Sequence, residues 1–260
     1  MTTSLDAALH ERIAALQRRA EDELAGKIIT VMSGKGGVGK TLLSMELSYL
    51  LGGVLVDFDW DDGNATRALG HLHERYQRVP LLDAFASGRP PAVRRMTKRP
   101  DLVPGHPDFE TNQQSPTIIR DALTAWSTSW NRLAVVDCHP GGGDAVYGAV
   151  AASDAVLSPV ELATRELDAL EGQLKEFDGY PMMLVPNEVP SVPPQSELNR
   201  LSSLAQRHDV QVASPLYEQT WYRRRKLRTV LTASSTFSKK VAPFVEQLVT
   251  VGEETLAYAA

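Results

Sequence analysis

The 260-residue chain has a single cysteine, Cys138, which excludes a disulfide framework and a cysteine-built metal cluster within one chain. It has no apolar run approaching the ~20 residues that cross a bilayer as a helix. Its N-terminus lacks the basic-then-apolar pattern of a secretory leader, so a cytoplasmic location is expected. Cationic charge is not in excess either. The formal net charge is −5, which gives no global pull toward nucleic acid, so any polyanion binding must come from a local patch. What remains, 43% hydrophobic and 23% charged, suits a protein with a full core. The length allows one large α/β domain or two small ones.

What is present is a glycine-rich stretch, Ser33-Gly34-Lys35-Gly36-Gly37-Val38-Gly39-Lys40-Thr41. It fits the phosphate-loop pattern of Gly, four residues, then Gly-Lys-Ser/Thr. The apolar run Ile28-Ile29-Thr30-Val31-Met32 reads as a buried strand leading in. Leu42 to Leu51 reads as a helix leading out, with Leu43, Leu47, Leu50 and Leu51 at helical spacing. Glycines allow the tight turn that aims successive N–H groups at phosphate oxygens, and the helix N-terminus adds partial positive charge. Candidate nucleotide contacts are therefore Gly34, Lys35, Gly36, Gly37, Val38, Gly39, Lys40, Thr41 and Leu42. Lys40 would reach the β- and γ-phosphates, and the Thr41 hydroxyl would hold Mg²⁺.

Two further strands end in acids. Val54-Leu55-Val56-Asp57-Phe58-Asp59 places Asp57 and Asp59 on one strand face by the period of two. Leu133-Ala134-Val135-Val136-Asp137 has the apolar-then-acid form of a strand whose carboxylate sits near Mg²⁺ and its waters, making Asp137 a candidate metal residue.

Lys35, directly after the first glycine, gives Lys-Gly-Gly-Val-Gly-Lys-Thr. This resembles the deviant phosphate loop of the ParA/MinD (SIMIBI-class) ATPases, most of all the ParA-type partition ATPases. The resemblance implies that Lys35 crosses a nucleotide-sandwich homodimer interface and serves hydrolysis with Lys40, so that turnover is tied to dimerisation. The segment after Asp59, Trp60-Asp61-Asp62-Gly63-Asn64-Ala65-Thr66, resembles the family's Pro-Gln-Gly-Asn-Ala-Thr, with Trp-Asp-Asp in place of Pro-Gln. By resemblance Asp59 orients the attacking water and Asp57 orders the Mg²⁺ shell. Cys138-His139-Pro140-Gly141-Gly142-Gly143 departs from the family's Asp-Thr-Pro-Pro, and its glycines suggest a mobile loop near the γ-phosphate. Asn187, at the end of the strand 181–187, and Pro215, after the segment Val210-Gln211-Val212-Ala213-Ser214, are implied adenine contacts.

Outside these motifs, Leu9, Ile13, Leu16, Ala20 and Leu24 give residues 1–26 the stripe of an amphipathic helix. It could dock on its own domain or a dimer mate, or engage a regulatory partner. Arg89, Arg94, Arg95, Lys98 and Arg99 form a basic cluster that suits solvent or an anionic partner equally. The densest basic run holds Arg223, Arg224, Arg225, Lys226 and Arg228 beside Trp221 and Tyr222, which suits nonspecific phosphate neutralisation.

The alternation of elements predicts an α/β fold, a mostly parallel, doubly wound sheet with helices on both faces. Residues 1–26 would be a helical extension and 27–260 the ATPase domain. The implied function is DNA partition. An ATP-dependent homodimer would bind DNA nonspecifically, associate with the nucleoid, and hydrolyse ATP when triggered by a ParB-like centromere-binding protein. A MinD-like membrane positioner is the alternative within the fold, opposed by a C-terminal tail without Lys or Arg after Glu246. An ATP-dependent metabolic ligase or synthetase on the same fold is the alternative of a different class.

Overall fold

The computed structural model describes residues 4–61, 64–76, 78–97, 99–221 and 240–260. Asp62, Gly63, Lys98 and the basic run Arg223, Arg224, Arg225, Lys226 and Arg228 lie outside the described residues, so the DNA-binding expectation has no structural description.

Five strands are buried along their whole length: β1 (Ile28–Val31), β2 (Val54–Phe58), β4 (Ala134–Cys138), β5 (Ala155–Val160) and β6 (Met182–Pro186). Such uninterrupted burial is what a parallel sheet covered on both faces demands. With the short edge strands β3 (Asp101–Val103) and β7 (Gln211–Val212), they form a seven-stranded sheet in the order β3-β2-β4-β1-β5-β6-β7. Every pairing in it is parallel.

The period of two sends alternate side chains to two separate cores. Ile29, Val31, Leu55 and Val135 face one, and Ile28, Val54, Val56, Ala134 and Val136 face the other. The first core is covered by α1 (Ser4–Glu23), α2 (Lys40–Leu50), the single turn α3 (Ala65–Ala68) and α9 (Ala242–Ala259). The second is covered by α4 (Pro80–Ser87), α5 (Pro116–Trp130), α6 (Asp144–Ala152), α7 (Thr164–Glu176) and α8 (Gln195–His208).

The apolar stripe of the first helix is fully used within the chain. Leu9, Ile13, Leu16, Ala20 and Leu24 are all buried in the first core with Phe244, Leu248 and Val251 of α9. Arg12 binds Glu253 at 2.8 Å across the same helix pair. The amphipathic helix therefore docks on its own chain.

Three element ends are fixed by local contacts. α5 continues to Trp130 and is stopped by Asn131, whose φ of 50° is the left-handed helix cap. α7 starts at Thr164 because Glu161–Ala163 close a turn, with the Ala163 N–H on Glu161 O at 2.9 Å. The segment 210–215 pairs as a strand only at Gln211 and Val212. Ser214 is instead held by Glu254 of α9, at 2.8 Å through its N–H and 2.6 Å through its hydroxyl.

Candidate nucleotide and metal site

The phosphate loop leaves the carboxyl end of β1, the central strand, where the chain's connections part to either side of the sheet. Such a switch point opens a crevice outside the strand ends. Gly37 and Gly39 have φ of 89° and 95°, a region that side chains with a Cβ rarely adopt. Gly39 is also the N-cap of α2, and a Cβ there would lie 2.1 Å from Asn187 Nδ2. Only glycine fits.

The loop is braced from behind by side chains from distant strands and helices. Asn187, at the end of β6, donates from Nδ2 to Val38 O at 2.8 Å. Gln173 of α7 accepts the Gly34 N–H at 2.8 Å, and its own amide donates to Ser158 Oγ of β5 at 2.9 Å. Pro215 follows the bound Ser214, and Leu216 then joins Pro186 O at 2.8 Å. Asn187 thus sits against the phosphate loop, with its amide nitrogen committed to the backbone. Gln173 carries no motif in the sequence. Its only signal is a polar residue set among Leu167, Leu170 and Leu174 on the apolar side of α7.

The two lysines of the loop have different surroundings. Lys40, at the first turn of α2, is 5% exposed, and its ammonium lies 3.3 Å from Lys35 O. Burial lowers its pKa, opposed by the charges of Asp137 and Asp59. Lys35 is half-exposed and pairs with Glu166 at the start of α7, and its hydrogen bond, helped by its charge, holds the Glu166 carboxyl below the ordinary carboxylate range.

Strand register brings the acids together. Asp57 of β2 lies directly opposite Asp137 of β4, which in turn lies opposite Val31 of β1. Asp137 Oδ1 accepts from Ser44 Oγ at 2.8 Å. Its Oδ2 is buried without a hydrogen-bond partner. Burial pushes its pKa up to about 7, against the hydroxyls of Ser44 and Thr41 and the Lys40 charge, while Asp59 adds to the rise. An orphaned carboxylate oxygen beside a threonine hydroxyl is what a hard, oxygen-seeking cation or its water shell would satisfy. The residues present fit Mg²⁺.

Asp57 is differently engaged. Its Oδ2 accepts from the Thr66 N–H at 2.7 Å and the Thr66 hydroxyl at 2.5 Å, and its Oδ1 accepts from the Asp59 N–H at 3.1 Å. Thr66 Oγ1 also accepts the Gly105 N–H at 2.8 Å. Asp57 therefore ties the loop after β2 to the strand end, with both oxygens used. Burial and the Asp137 charge push its pKa up, against the donors of Thr66. Asp59 is 8% exposed. Its Oδ1 accepts the Asp61 N–H at 3.1 Å, an Asx turn that fixes the carboxylate. Burial also raises its pKa, opposed by Asp61 N–H, His139 and Lys40.

The loop after β4 closes the site from above. Gly141 N–H reaches Ser33 O at 3.1 Å, and a Cβ on Gly36 would meet Pro140 at 3.6 Å. Cys138 is fully buried, and burial pushes its thiol pKa up, which removes it as a nucleophile. His139 turns away from Cys138 toward Asp61, at 3.1 Å. Asp59, Asp61 and His139 bring ligand-type atoms within 4.8 Å of one another among the described residues.

A glycine loop feeding a helix N-terminus, a buried lysine and two strand-end carboxylates define the site of a P-loop nucleoside triphosphatase. Residues 26–179 match the family described as AAA domain, and the chain belongs to the ParA/MinD family of P-loop ATPases. A curated relative, the chromosome partitioning protein ParA of Myxococcus xanthus, is 31% identical over 164 residues. That match covers 56% of this chain and 55% of the relative, so it spans about half the length of each. Among solved structures, apo McdA of Cyanothece superposes with a TM-score of 0.72 at 18% identity, covering 88% of this chain and 99% of that one. The septum site-determining protein MinD of Pyrococcus horikoshii, complexed with Mg-ADP, gives 0.64 at 20% identity, covering 88% and 95%. These likenesses show the fold.

Proposed function

We propose that the chain is a ParA-like ATPase that hydrolyses ATP as a conformational timer for DNA partition. The carrying observation is the buried Lys40 above the unpartnered Asp137 oxygen, fed by the Lys-Gly-Gly-Val-Gly-Lys-Thr loop. In this reading the backbone from Gly34 to Leu42 cradles the phosphates and Lys40 neutralises them. Thr41 and Asp137 hold Mg²⁺, which when bound offsets phosphate charge. Asp57 acts on that shell by fixing the strand end, and Asp59 accepts a hydrogen bond from the attacking water. Asn187 and Pro215 set the loops that border the base.

Lys35 is assigned to a second copy of the chain across an ATP-dependent homodimer. Its pair with Glu166 keeps it at home in the monomer and must open for that reach. Arg223, Arg224, Arg225, Lys226 and Arg228 would then be presented to DNA without reading its sequence. A ParB-like activator would trigger turnover. The sequence likeness to a named partition protein supports this reading. Among the described residues no helix is long and apolar enough to cross a membrane.

The test is binding to nonspecific duplex DNA with ADP, ATP and a slowly hydrolysed analogue at two salt concentrations. Binding that needs ATP, weakens with salt and is lost in Lys40→Ala and in the Arg223/Arg224/Arg225→Ala triple variant is the expected result. No binding in any nucleotide state would overturn the DNA reading and favour the membrane or metabolic one.

A further inference from the structure

Trp60 and Asp61, and Cys138–Gly143, belong to the two segments in which the sequence departs from the family pattern, and they meet in the fold. The Trp60 and His139 rings stack with centroids 3.9 Å apart and planes 8° from parallel. His139 Nε2 lies 3.1 Å from Asp61 Oδ2. Trp60 is itself anchored, edge-on to Phe109 at 6.4 Å, and Phe109 is buried against Phe58 and Phe85. His139 is anchored too, because its neighbours Pro140 and Gly141 rest on Gly36 and Ser33 of the phosphate loop.

From these contacts we propose that Trp60, Asp61 and His139 form a clasp that positions Asp59 for hydrolysis. The proposal rests on the ATPase reading above. Asp59 Oδ1 is fixed by the Asp61 N–H, the Asp61 carboxylate is held by His139, and the ring of Trp60, next to Asp59 in the chain, is pinned by the same imidazole. One imidazole thus holds both residues that follow the carboxylate that would orient the water. The clasp also couples the loop carrying Asp59 to the phosphate loop, so a shift of Ser33 or Gly36 on nucleotide binding is felt at Asp59. Paired aromatic contacts and a carboxylate hydrogen bond supply a fixed geometry, and misplacing a reacting group by an ångström costs on the order of 100-fold in rate. His139 is a positioning residue in this scheme: it acts through Asp61 and Trp60.

The test compares ATP turnover in wild type, His139→Ala, which loses ring and hydrogen bond, and His139→Phe, which keeps the stack alone. Wild-type turnover with kcat about 10- to 100-fold lower in His139→Ala, KM for ATP within about twofold and partial rescue in His139→Phe is the expected result. Trp60 emission, taken as the difference between each protein and its Trp60→Phe counterpart, should shift in His139→Ala and return toward wild type in His139→Phe. Unchanged kcat, unchanged Trp60 emission, or a matched loss of nucleotide affinity in His139→Ala would overturn the clasp. Absence of turnover in wild type would instead overturn the ATPase reading, and the catalytic role of the clasp with it.

Discussion

At the residue scale, the two acids at the end of β2 look alike in sequence and differ in what they touch. Asp59 keeps one oxygen outside its Asx turn, whereas both oxygens of Asp57 are spent on Thr66 and the Asp59 N–H. Substituting them should separate two effects. Asp59→Asn is expected to lower kcat about 10²- to 10³-fold while nucleotide affinity and melting temperature stay close to wild type, as for loss of a water-orienting carboxylate. Asp57→Ala is expected to lower the melting temperature as well, because it strands the buried Thr66 donors at a cost of about 1–3 kcal/mol. Calorimetry beside a phosphate-release assay checks both. Equal melting losses in the two variants would refute the distinction.

At the element scale, α1 is part of the first core. Leu16 is 2% exposed, and its Cδ2 lies 3.0 Å from where a Cβ on Gly252 of α9 would sit. Leu16→Ala is expected to cost about 3 kcal/mol through lost burial and a residual cavity, with KM for ATP unchanged because the site lies at the strand ends. Gly148 of α6 is still more constrained: a Cβ would meet Ile119 at 2.6 Å and Pro116 O at 2.8 Å on α5. Gly148→Ala should destabilise by about 1–3 kcal/mol. Urea unfolding reads both changes.

β3, an edge strand, is paired with β2 and begins with an ion-paired carboxylate. Asp101 accepts from Arg132 and Arg95 at 2.8 Å each and from the Met96 N–H at 3.0 Å. Burial works against the Asp101 charge, but these donors prevail and hold its pKa below the ordinary carboxylate value. A carboxylate with a depressed folded pKa adds stability above its unfolded pKa of about 3.9 and loses it as pH falls through the folded value. Asp101→Asn should therefore melt lower than wild type at pH 7, and the gap should narrow below about pH 4.

At the scale of the whole molecule, the decisive pair is Lys35 with Glu166. If Lys35 serves a second copy, Glu166 competes with that copy's nucleotide for the same ammonium. Glu166→Gln is expected to let the ATP-analogue-bound dimer form at lower protein concentration, and Lys35→Ala should remove the dimer without removing nucleotide binding. Sedimentation velocity across a concentration series, with nucleotide binding measured alongside, checks this. A weaker dimer in Glu166→Gln would show that the carboxylate supports the interface instead of restraining it.

The glycine loop, the apolar strands ending in acids and the helical stripes follow from local rules of backbone freedom and periodicity. For that reason the parallel, doubly wound fold and the membership of the ParA/MinD family were legible in the sequence. The burial of residues 1–26 against α9 was open between alternatives, because an apolar stripe states that a face is covered and never by what. Contacts that complete the site depend on register and crossover. Ser44 reaches Asp137 across 93 residues and His139 reaches Asp61 across 78, while Gln173 and Asn187 brace the loop from 139 and 149 residues away in the chain. Sequence spacing carries no signal for such pairs. Strand order sets which segments are neighbours, and only the packed sheet turned two odd stretches of sequence into one clasp.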